Sequence, residues 1–205
     1  MSARIKTEYA AWLVDLDGTL YWAPGVKLAM ALELAILGLG VARRLSRFRH
    51  EHEALRRDPG AADGDPFAIQ LDRAASALAI DRVSLERDVE RWMIERPLRY
   101  LPWFRRSRLI AEIRAFKNAG GRTGLVSDYP ARKKLGALGA GDLFEVVVAS
   151  GEEAGPRRLK PDPDGYLRAA RALGVPPASC LVIGDRRDAD GLAAERAGMG
   201  FRKIG

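Results

Sequence analysis

The chain of 205 residues has one cysteine, two histidines and no apolar run long enough to cross a membrane. A single cysteine excludes a disulfide framework and a cysteine-based zinc site, and it fits a reducing compartment. The longest apolar stretch, residues 28–42, is shorter than the ~20 residues that a membrane span needs, and Glu33 interrupts it. The first ten residues are too polar for a secretory signal. We therefore expect a cytoplasmic protein that does not contact a membrane.

The formal net charge is +7, because 34 lysines and arginines outnumber 27 acidic residues. Such a charge is compatible with nucleic-acid binding, but no nucleic-acid motif accompanies it. Hydrophobic residues make up 47% of the chain, which excludes intrinsic disorder. We therefore favour a folded protein whose positive charge does not serve nucleic-acid binding.

Short apolar runs alternate with helical patterns over much of the chain. The runs predict strands at 11–16, 122–126, 145–149, 180–183 and 200–204, and the helical patterns cover 105–119, 164–173 and 188–197. Strands that alternate with helices predict an α/β fold, with a Rossmann-like parallel sheet and helices on both faces. In such a sheet the functional site lies at the carboxyl ends of the strands.

Residues 21–100 interrupt this alternation and contain no convincing strand. Apolar residues share a helical face along 28–55, a turn-rich loop is predicted at 58–66, and helices are predicted near 66–79 and 83–96. Ser84 is the expected N-cap of the last helix, and Pro97 is expected to end it. The arginines between residues 43 and 57 are interpreted mainly as a solvated face. We therefore predict a core of residues 1–20 and 101–205 and a helical cap of residues 21–100.

The first predicted strand ends in the sequence DLDGTL, residues 15–20. Asp15 and Asp17 would lie on one face of a continuing strand, and Gly18 allows a sharp turn. Two close carboxylates repel each other unless a cation or a proton lies between them. One carboxylate can attack phosphorus and its neighbour can donate a proton to the leaving group. An ordinary Asp-Gly turn remains the alternative for this string.

Polar residues also follow three later strands. Ser127 could hold a phosphoryl oxygen, and Lys160 could offset carboxylate repulsion. The string VIGDRRDAD places Asp185, Asp188 and Asp190 after the fourth strand, where carboxylates could bind Mg²⁺ or stabilise a helix N-terminus. Each feature is weak alone, but a parallel sheet would bring all of them to one edge.

In chain order, the acid pair, hydroxyl, lysine and acid cluster resemble the haloacid dehalogenase-like (HAD) superfamily, phosphatase type. The resemblance covers residues 10–20 and 101–205, and DLDGTL is its most specific part. It implies that Asp15 is the nucleophile, that Asp17 is the general acid and base, and that Ser127, Lys160 and Gly18 bind the phosphate. The helices of residues 21–100 resemble a C1-type cap.

The resemblance also implies a Mg²⁺ cofactor. Its expected ligands are Asp15, the backbone carbonyl of Asp17, and Asp185, with Asp190 as the outer acid and Asp188 as a competing candidate. Dehalogenases lack an acid at the position of Asp17. The resemblance therefore implies hydrolysis of small phosphate monoesters through an aspartyl-phosphate.

Several features leave other functions open. Asp128 directly follows Ser127 and would place a second negative charge near a phosphate, while Arg186 and Arg187 lie within the last motif. A phosphomutase or phosphotransferase would use the same residues, and a non-catalytic phosphate-binding protein could keep the fold. The net charge also motivates a nucleic-acid end phosphatase. A small phosphorylated metabolite is the partner that we expect, rather than a nucleic acid or a membrane.

Overall fold

The computed structural model describes residues 8–37, 39–58 and 64–205. In this part of the chain, five parallel strands form one sheet in the order β3-β2-β1-β4-β5. The strands are β1 (Ala11–Asp15), β2 (Arg122–Ser127), β3 (Val146–Ala149), β4 (Cys180–Gly184) and β5 (Gly200–Lys203). The predicted parallel α/β fold is confirmed, and each strand agrees with an apolar run in the sequence.

Helices connect β1 to the rest of the sheet. They are α1 (Ala23–Leu37), α2 (Leu39–Arg57), α3 (Pro66–Leu78) and α4 (Arg82–Val89). A π-helical segment (Glu90–Glu95) and a 3-10 turn (Arg96–Arg99) follow α4. We call residues 23–99 the cap. Most of the predicted loop at 58–66 lies outside the described residues.

The remaining helices cover the two faces of the sheet. They are α5 (Leu101–Phe104), α6 (Ser107–Asn118), α7 (Arg132–Ala137), α8 (Asp164–Leu173) and α9 (Leu192–Ala197), with a 3-10 turn at Pro177–Ser179 and a π-helical turn at Arg187–Gly191. Val14 and Leu125 pack with Ile113 of α6 on one face. Leu13 packs with Tyr166 of α8 on the other face, so the sheet is buried on both sides.

The two chain crossings between sheet and cap lie side by side. Tyr21 and Arg105 form an isolated antiparallel bridge, and the Trp22 amide donates to the Phe104 carbonyl at 2.8 Å. The cap also has its own apolar cluster, which includes Leu45, Phe48, Leu71, Leu85 and Trp92. The sequence-derived boundaries at residues 20/21 and 100/101 stay a prediction.

The predicted helix at 83–96 differs from the structure at both ends. Its N-cap is Asp81, whose carboxylate accepts a hydrogen bond from the Ser84 amide at 2.9 Å, and not Ser84 as expected. A carboxylate and a hydroxyl three residues apart are both good caps, so the sequence alone does not separate them. The α-helical part ends at Val89, and Pro97 lies within the 3-10 turn that follows the π segment.

Candidate active site

The turn after β1 places two carboxylates and a glycine at the edge of the sheet. Gly18 has a positive φ of 96°, and a Cβ added there would lie 2.2 Å from Oδ2 of Asp185. Glycine is therefore required for both backbone conformation and space. The Leu20 amide donates to the Leu16 carbonyl at 3.0 Å and closes the turn. The Gly18 backbone thus lies against the strand end of β4.

Asp15 is buried and contacts the amine of Lys160. Its other oxygen accepts a hydrogen bond from Thr19 Oγ1 at 2.9 Å. Burial raises the pKa of Asp15; the charge of Lys160 opposes this shift, whereas the nearby Asp190 adds to it. Lys160 lies in a turn, and its side-chain amine reaches Asp15 at the carboxyl end of β1.

Asp190 holds Lys160 from the other side. Its Oδ1 accepts hydrogen bonds from Lys160 Nζ at 2.9 Å and from the Tyr166 hydroxyl at 2.8 Å, and its Oδ2 accepts the Arg186 amide at 3.2 Å. Burial opposes the ammonium charge, but Asp15 and Asp190 hold the pKa of Lys160 well above its ordinary value. The amine is therefore a fixed positive charge between two carboxylates.

Asp15, Asp185 and Asp190 form a cluster that could hold a metal ion, because one carboxylate oxygen from each lies within 4.8 Å of the others. Asp185 is half-buried, and its carboxylate makes no ion pair with another side chain in the described part of the chain. Burial raises its pKa, and Asp190 adds to the shift. Hard carboxylate oxygens at this spacing suit Mg²⁺.

Asp188 lies outside this cluster. Its side chain is 68% exposed and pairs with Arg186 at 2.5 Å. The structure thus brings Asp190, and not Asp188, to the other acids. The Asp190 carboxylate is turned inward, where it accepts hydrogen bonds from Lys160 and Tyr166, whereas the Asp188 carboxylate accepts from Arg186 at the surface.

Asp17 has two partners that the sequence reasoning missed. Lys134 of α7 donates to its Oδ1 at 2.6 Å, and the Tyr21 hydroxyl donates to the same oxygen. Burial would raise the pKa of Asp17, but Lys134 and then Tyr21 outweigh burial and lower it. No sequence signal separates Lys134 from its exposed neighbour Lys133, because Lys134 lies 117 positions from Asp17 in the sequence.

Ser127 ends β2 beside β1. Since Asp15 is in register with Val126, Ser127 lies one residue further along the same sheet edge. Its hydroxyl accepts the Tyr129 amide at 3.2 Å. The predicted hydroxyl is therefore at the strand ends with the acids.

Asp128 is turned toward the cap, where Arg56 Nη2 donates to it at 2.6 Å. Its other oxygen accepts the Lys160 backbone amide at 3.2 Å. Burial would raise the pKa of Asp128, but Lys160 and Arg56 outweigh burial and lower it. The interpretation of the cap arginines as mainly solvated is wrong for Arg56, whose side chain is only 11% exposed. Sequence cannot show this pair, whose members lie 72 residues apart.

His52 packs between the cap and the sheet. Its ring stacks on Tyr129 with centroids 4.5 Å apart, and its Nδ1 lies 3.2 Å from Gln70 Oε1. Burial lowers the pKa of His52, which favours the neutral ring. These contacts assign His52 to packing rather than to a metal site.

A cavity of about 620 Å³ lies between the strand ends and the cap. The sheet side contributes Asp15, Asp17, Lys160, Asp185 and Asp190 to its lining. Cavities of this size are typical of small-molecule sites, which range over roughly 300–1,000 Å³. The described part of the chain contains no helix with the length and apolar character needed to span a membrane.

The fold and the site together define an α/β enzyme with a carboxylate cluster at the strand ends beneath a helical cap. The family model of the haloacid dehalogenase-like hydrolases matches residues 9–198, so the chain belongs to this family. The family membership indicated by the sequence motifs is thereby confirmed.

Three known proteins illustrate the relationship. The chain is 53% identical over 65 residues to protein CbbY of Rhodobacter capsulatus, covering 32% of this chain and 26% of that protein. It is 39% identical over 94 residues to glyceraldehyde 3-phosphate phosphatase of Methanopyrus kandleri, covering 44% of this chain and 39% of the phosphatase. The L-2-haloacid dehalogenase of Xanthobacter autotrophicus shares the fold, with a TM-score of 0.67 at 20% identity over 96% of this chain and 77% of that chain.

The chain spans about half or less of the length of the curated relatives that it matches in sequence. The structural likeness to a dehalogenase shows the fold alone, and this fold carries more than one chemistry. The reaction must therefore be argued from the residues of the site.

Proposed function

We propose that the chain is a Mg²⁺-dependent phosphatase that hydrolyses small phosphate monoesters through an aspartyl-phosphate on Asp15. The observation that carries this proposal is the pair of carboxylates at the cavity: Asp15 against Lys160, and Asp17 two residues further on. The family resemblance implies that dehalogenases lack an acid at the position of Asp17, so the presence of Asp17 favours phosphoryl transfer. The phosphatase relative from Methanopyrus kandleri supports the same choice.

In the first step, an Asp15 oxygen forms a bond to phosphorus while the bond from phosphorus to the leaving oxygen breaks. Asp17 donates its proton to that leaving oxygen. In the second step, Asp17 accepts a proton from a water molecule, and the water oxygen attacks phosphorus. Inorganic phosphate leaves, Asp15 regains its carboxylate, and Asp17 is protonated again.

Lys134 and Tyr21 favour the ionised form of Asp17, which is the form that accepts a proton from water in the second step. A phosphate dianion entering the cavity would favour the protonated form needed in the first step, because like charges raise a carboxyl pKa. We propose that Lys134 is a positioning residue that balances these two states.

The donor set fits Mg²⁺, and we propose Asp15, Asp185 and the backbone carbonyl of Asp17 as its ligands. When bound, the ion would reduce the repulsion between Asp15 and the phosphate. Asp190 belongs to the same cluster, and we propose it as the outer acid of the metal site. Because its oxygens already accept three hydrogen bonds, we propose that it also holds Lys160 in place.

Lys160, Ser127 and the Gly18 backbone are the proposed phosphate-binding groups. All three lie at the carboxyl edge of β1, β2 and the neighbouring loops, and Lys160 is a charged donor. Its contact with Asp15 means that a bound phosphate would compete for the same amine. The proposed partner is a small phosphorylated metabolite, since the cavity of about 620 Å³ lies beneath the cap.

Phosphate release from an aryl phosphate and a panel of phosphorylated metabolites tests the proposal. We expect release that requires Mg²⁺, stops with EDTA, and falls by at least about a thousandfold in Asp15→Asn. Asp188→Asn is the matched control, because this exposed acid lies in the loop of Asp185 but outside the cluster. Release that survives Asp15→Asn would contradict the proposal. A stable phosphoprotein without phosphate release would instead indicate a mutase or phosphotransferase.

A further inference from the structure

The cavity has two chemically different sides. The sheet and its loops supply the charged groups described above, whereas the cap supplies an apolar surface. This apolar subsite consists of side chains from α1, α2 and the π-helical segment: Val26, Met30, Leu34, Leu45, Trp92 and Met93. The molecule that enters the cavity therefore meets charge at its phosphate end and hydrocarbon at its other end.

Most polar cap groups beside the apolar subsite already have partners. Arg56 pairs with Asp128 at 2.6 Å, and His52 contacts Gln70. Glu53 lies 3.7 Å from Arg56. A substrate with many hydroxyl groups would thus find few free partners in this part of the cavity, and buried hydroxyls without partners weaken binding.

Two cations form the rest of the polar cap lining. Lys27 and Arg49 line the cavity, both are exposed, and neither makes an ion pair with another described residue. Exposed ammonium and guanidinium groups are well solvated, so they do not compensate for hydroxyl groups buried against the apolar subsite. They attract an anionic substrate toward the opening.

We propose that the substrate is a phosphate monoester whose alcohol part is an apolar alkyl or aryl group. This inference rests on the proposed function, because the phosphate end of the cavity is the site assigned there. It adds that the apolar subsite selects the alcohol. Each buried methylene should tighten binding by about fourfold until the cavity is filled.

Calorimetric binding of a phosphonate series to the wild-type protein with Mg²⁺ tests the inference without turnover. The probes are ethyl-, butyl- and hexylphosphonate and the phosphonate of a six-carbon polyol. We expect Kd to fall by about fourfold per methylene and the polyol to bind at least about tenfold more weakly than hexylphosphonate. A flat alkyl series, or tighter binding of the polyol, would overturn the inference.

A matched pair of variants on α1 tests whether the apolar subsite causes the preference for hexylphosphonate over the polyol phosphonate. Leu34 lines the cavity, whereas Leu28 lies on the same helix with 64% of its surface exposed and does not line it. Leu34→Gln should reduce the preference for hexylphosphonate over the polyol by about tenfold, and Leu28→Gln should leave it unchanged. Equal preferences in the two variants would overturn the assignment of the subsite. The ratio of the two Kd values measured on one variant does not depend on the fraction of that variant that is folded.

Failure of the inference and failure of the proposed function are separable. Phosphonate binding reports on the apolar subsite, and phosphate release reports on Asp15 chemistry. Release of phosphate from polyol phosphates in preference to alkyl phosphates would retain the phosphatase and remove the apolar substrate. Chain-length-dependent binding without release from any ester would retain the subsite and remove the phosphatase.

Discussion

The ion pair between Arg56 and Asp128 joins the cap to the end of β2, and its removal has a calculable cost. The side chains are 11% and 7% exposed, so Arg56→Met leaves a buried carboxylate whose remaining hydrogen bond comes from the Lys160 amide. Breaking one partner of a buried pair costs about 3–5 kcal/mol. Arg56 Nε is buried and has no hydrogen-bond partner in the described structure, so the substitution also removes an unsatisfied donor. We therefore expect a cost near the lower end of this range, about 3 kcal/mol.

Urea unfolding at neutral pH measures this cost, with Arg57→Met as the matched control. Arg57 is the next residue of α2; it is exposed, and among the described residues its side chain donates to the Glu53 carbonyl at 3.2 Å. We expect the control to change the free energy of unfolding by less than about 0.5 kcal/mol. A double-mutant cycle with Asp128→Asn should give a coupling energy of about 1–3 kcal/mol.

The pH dependence of the same pair has a definite sign. Because the folded pKa of Asp128 is lowered, its contribution to stability is present above the unfolded pKa and is lost as pH falls through the folded pKa. The difference between wild type and Arg56→Met should therefore shrink in acid. If Arg56→Met and Arg57→Met unfold at the same urea concentration at neutral pH, the assigned cap–core contact is refuted.

Three further predictions concern the acids of the site. Lys134→Met should raise the pKa of Asp17 and move the pH profile of kcat toward higher pH. The control Lys133→Met, at the exposed neighbouring residue, should leave the profile unchanged. An unchanged profile in Lys134→Met would contradict the positioning role of Lys134. Gly18→Ala should weaken Mg²⁺ binding by at least about tenfold in calorimetry, because the added Cβ would lie 2.2 Å from Oδ2 of Asp185. An unchanged Mg²⁺ affinity would argue against the proposed ligands. Mg²⁺ affinity should rise with pH near neutrality, because the raised pKa of Asp15 means that the binding ion displaces a proton from this carboxyl group. A Kd for Mg²⁺ that does not change with pH would exclude this coupling of metal binding to proton release.

The sheet and the order of its polar strand ends are predictable from the sequence. Apolar runs of four to six residues followed by Asp15, Ser127 and Asp185 are local signals, and parallel pairing brings their ends together. The motif order also indicates the family before any contact is known. Local periodicity and strand-end chemistry thus predict the parallel sheet and the acids that meet at its edge.

The partners of these acids are not predictable in the same way. Lys134 reaches Asp17 and Arg56 reaches Asp128 only after the chain has folded, and each lysine or arginine has a similar neighbour in sequence. Asp188 and Asp190 lie in the same π-helical turn, and no periodicity of the sequence indicates which of the two side chains turns inward. Side-chain direction within such turns, and pairing across the cap, require the tertiary structure.

Asp15 is the proposed carrier of the phosphoryl group, and acid-quench peptide mapping is the direct test of this assignment. With an aryl phosphate and Mg²⁺, the leaving oxygen needs little protonation, so Asp17→Asn should still transfer the phosphoryl group to Asp15. Because this variant lacks the residue that takes a proton from water, the phosphorylated enzyme should accumulate. We expect a phosphoryl group on the peptide that contains Asp15 and its absence in the double variant with Asp15→Asn. Phosphate release by the wild type, with no label on Asp15 in Asp17→Asn, would contradict it.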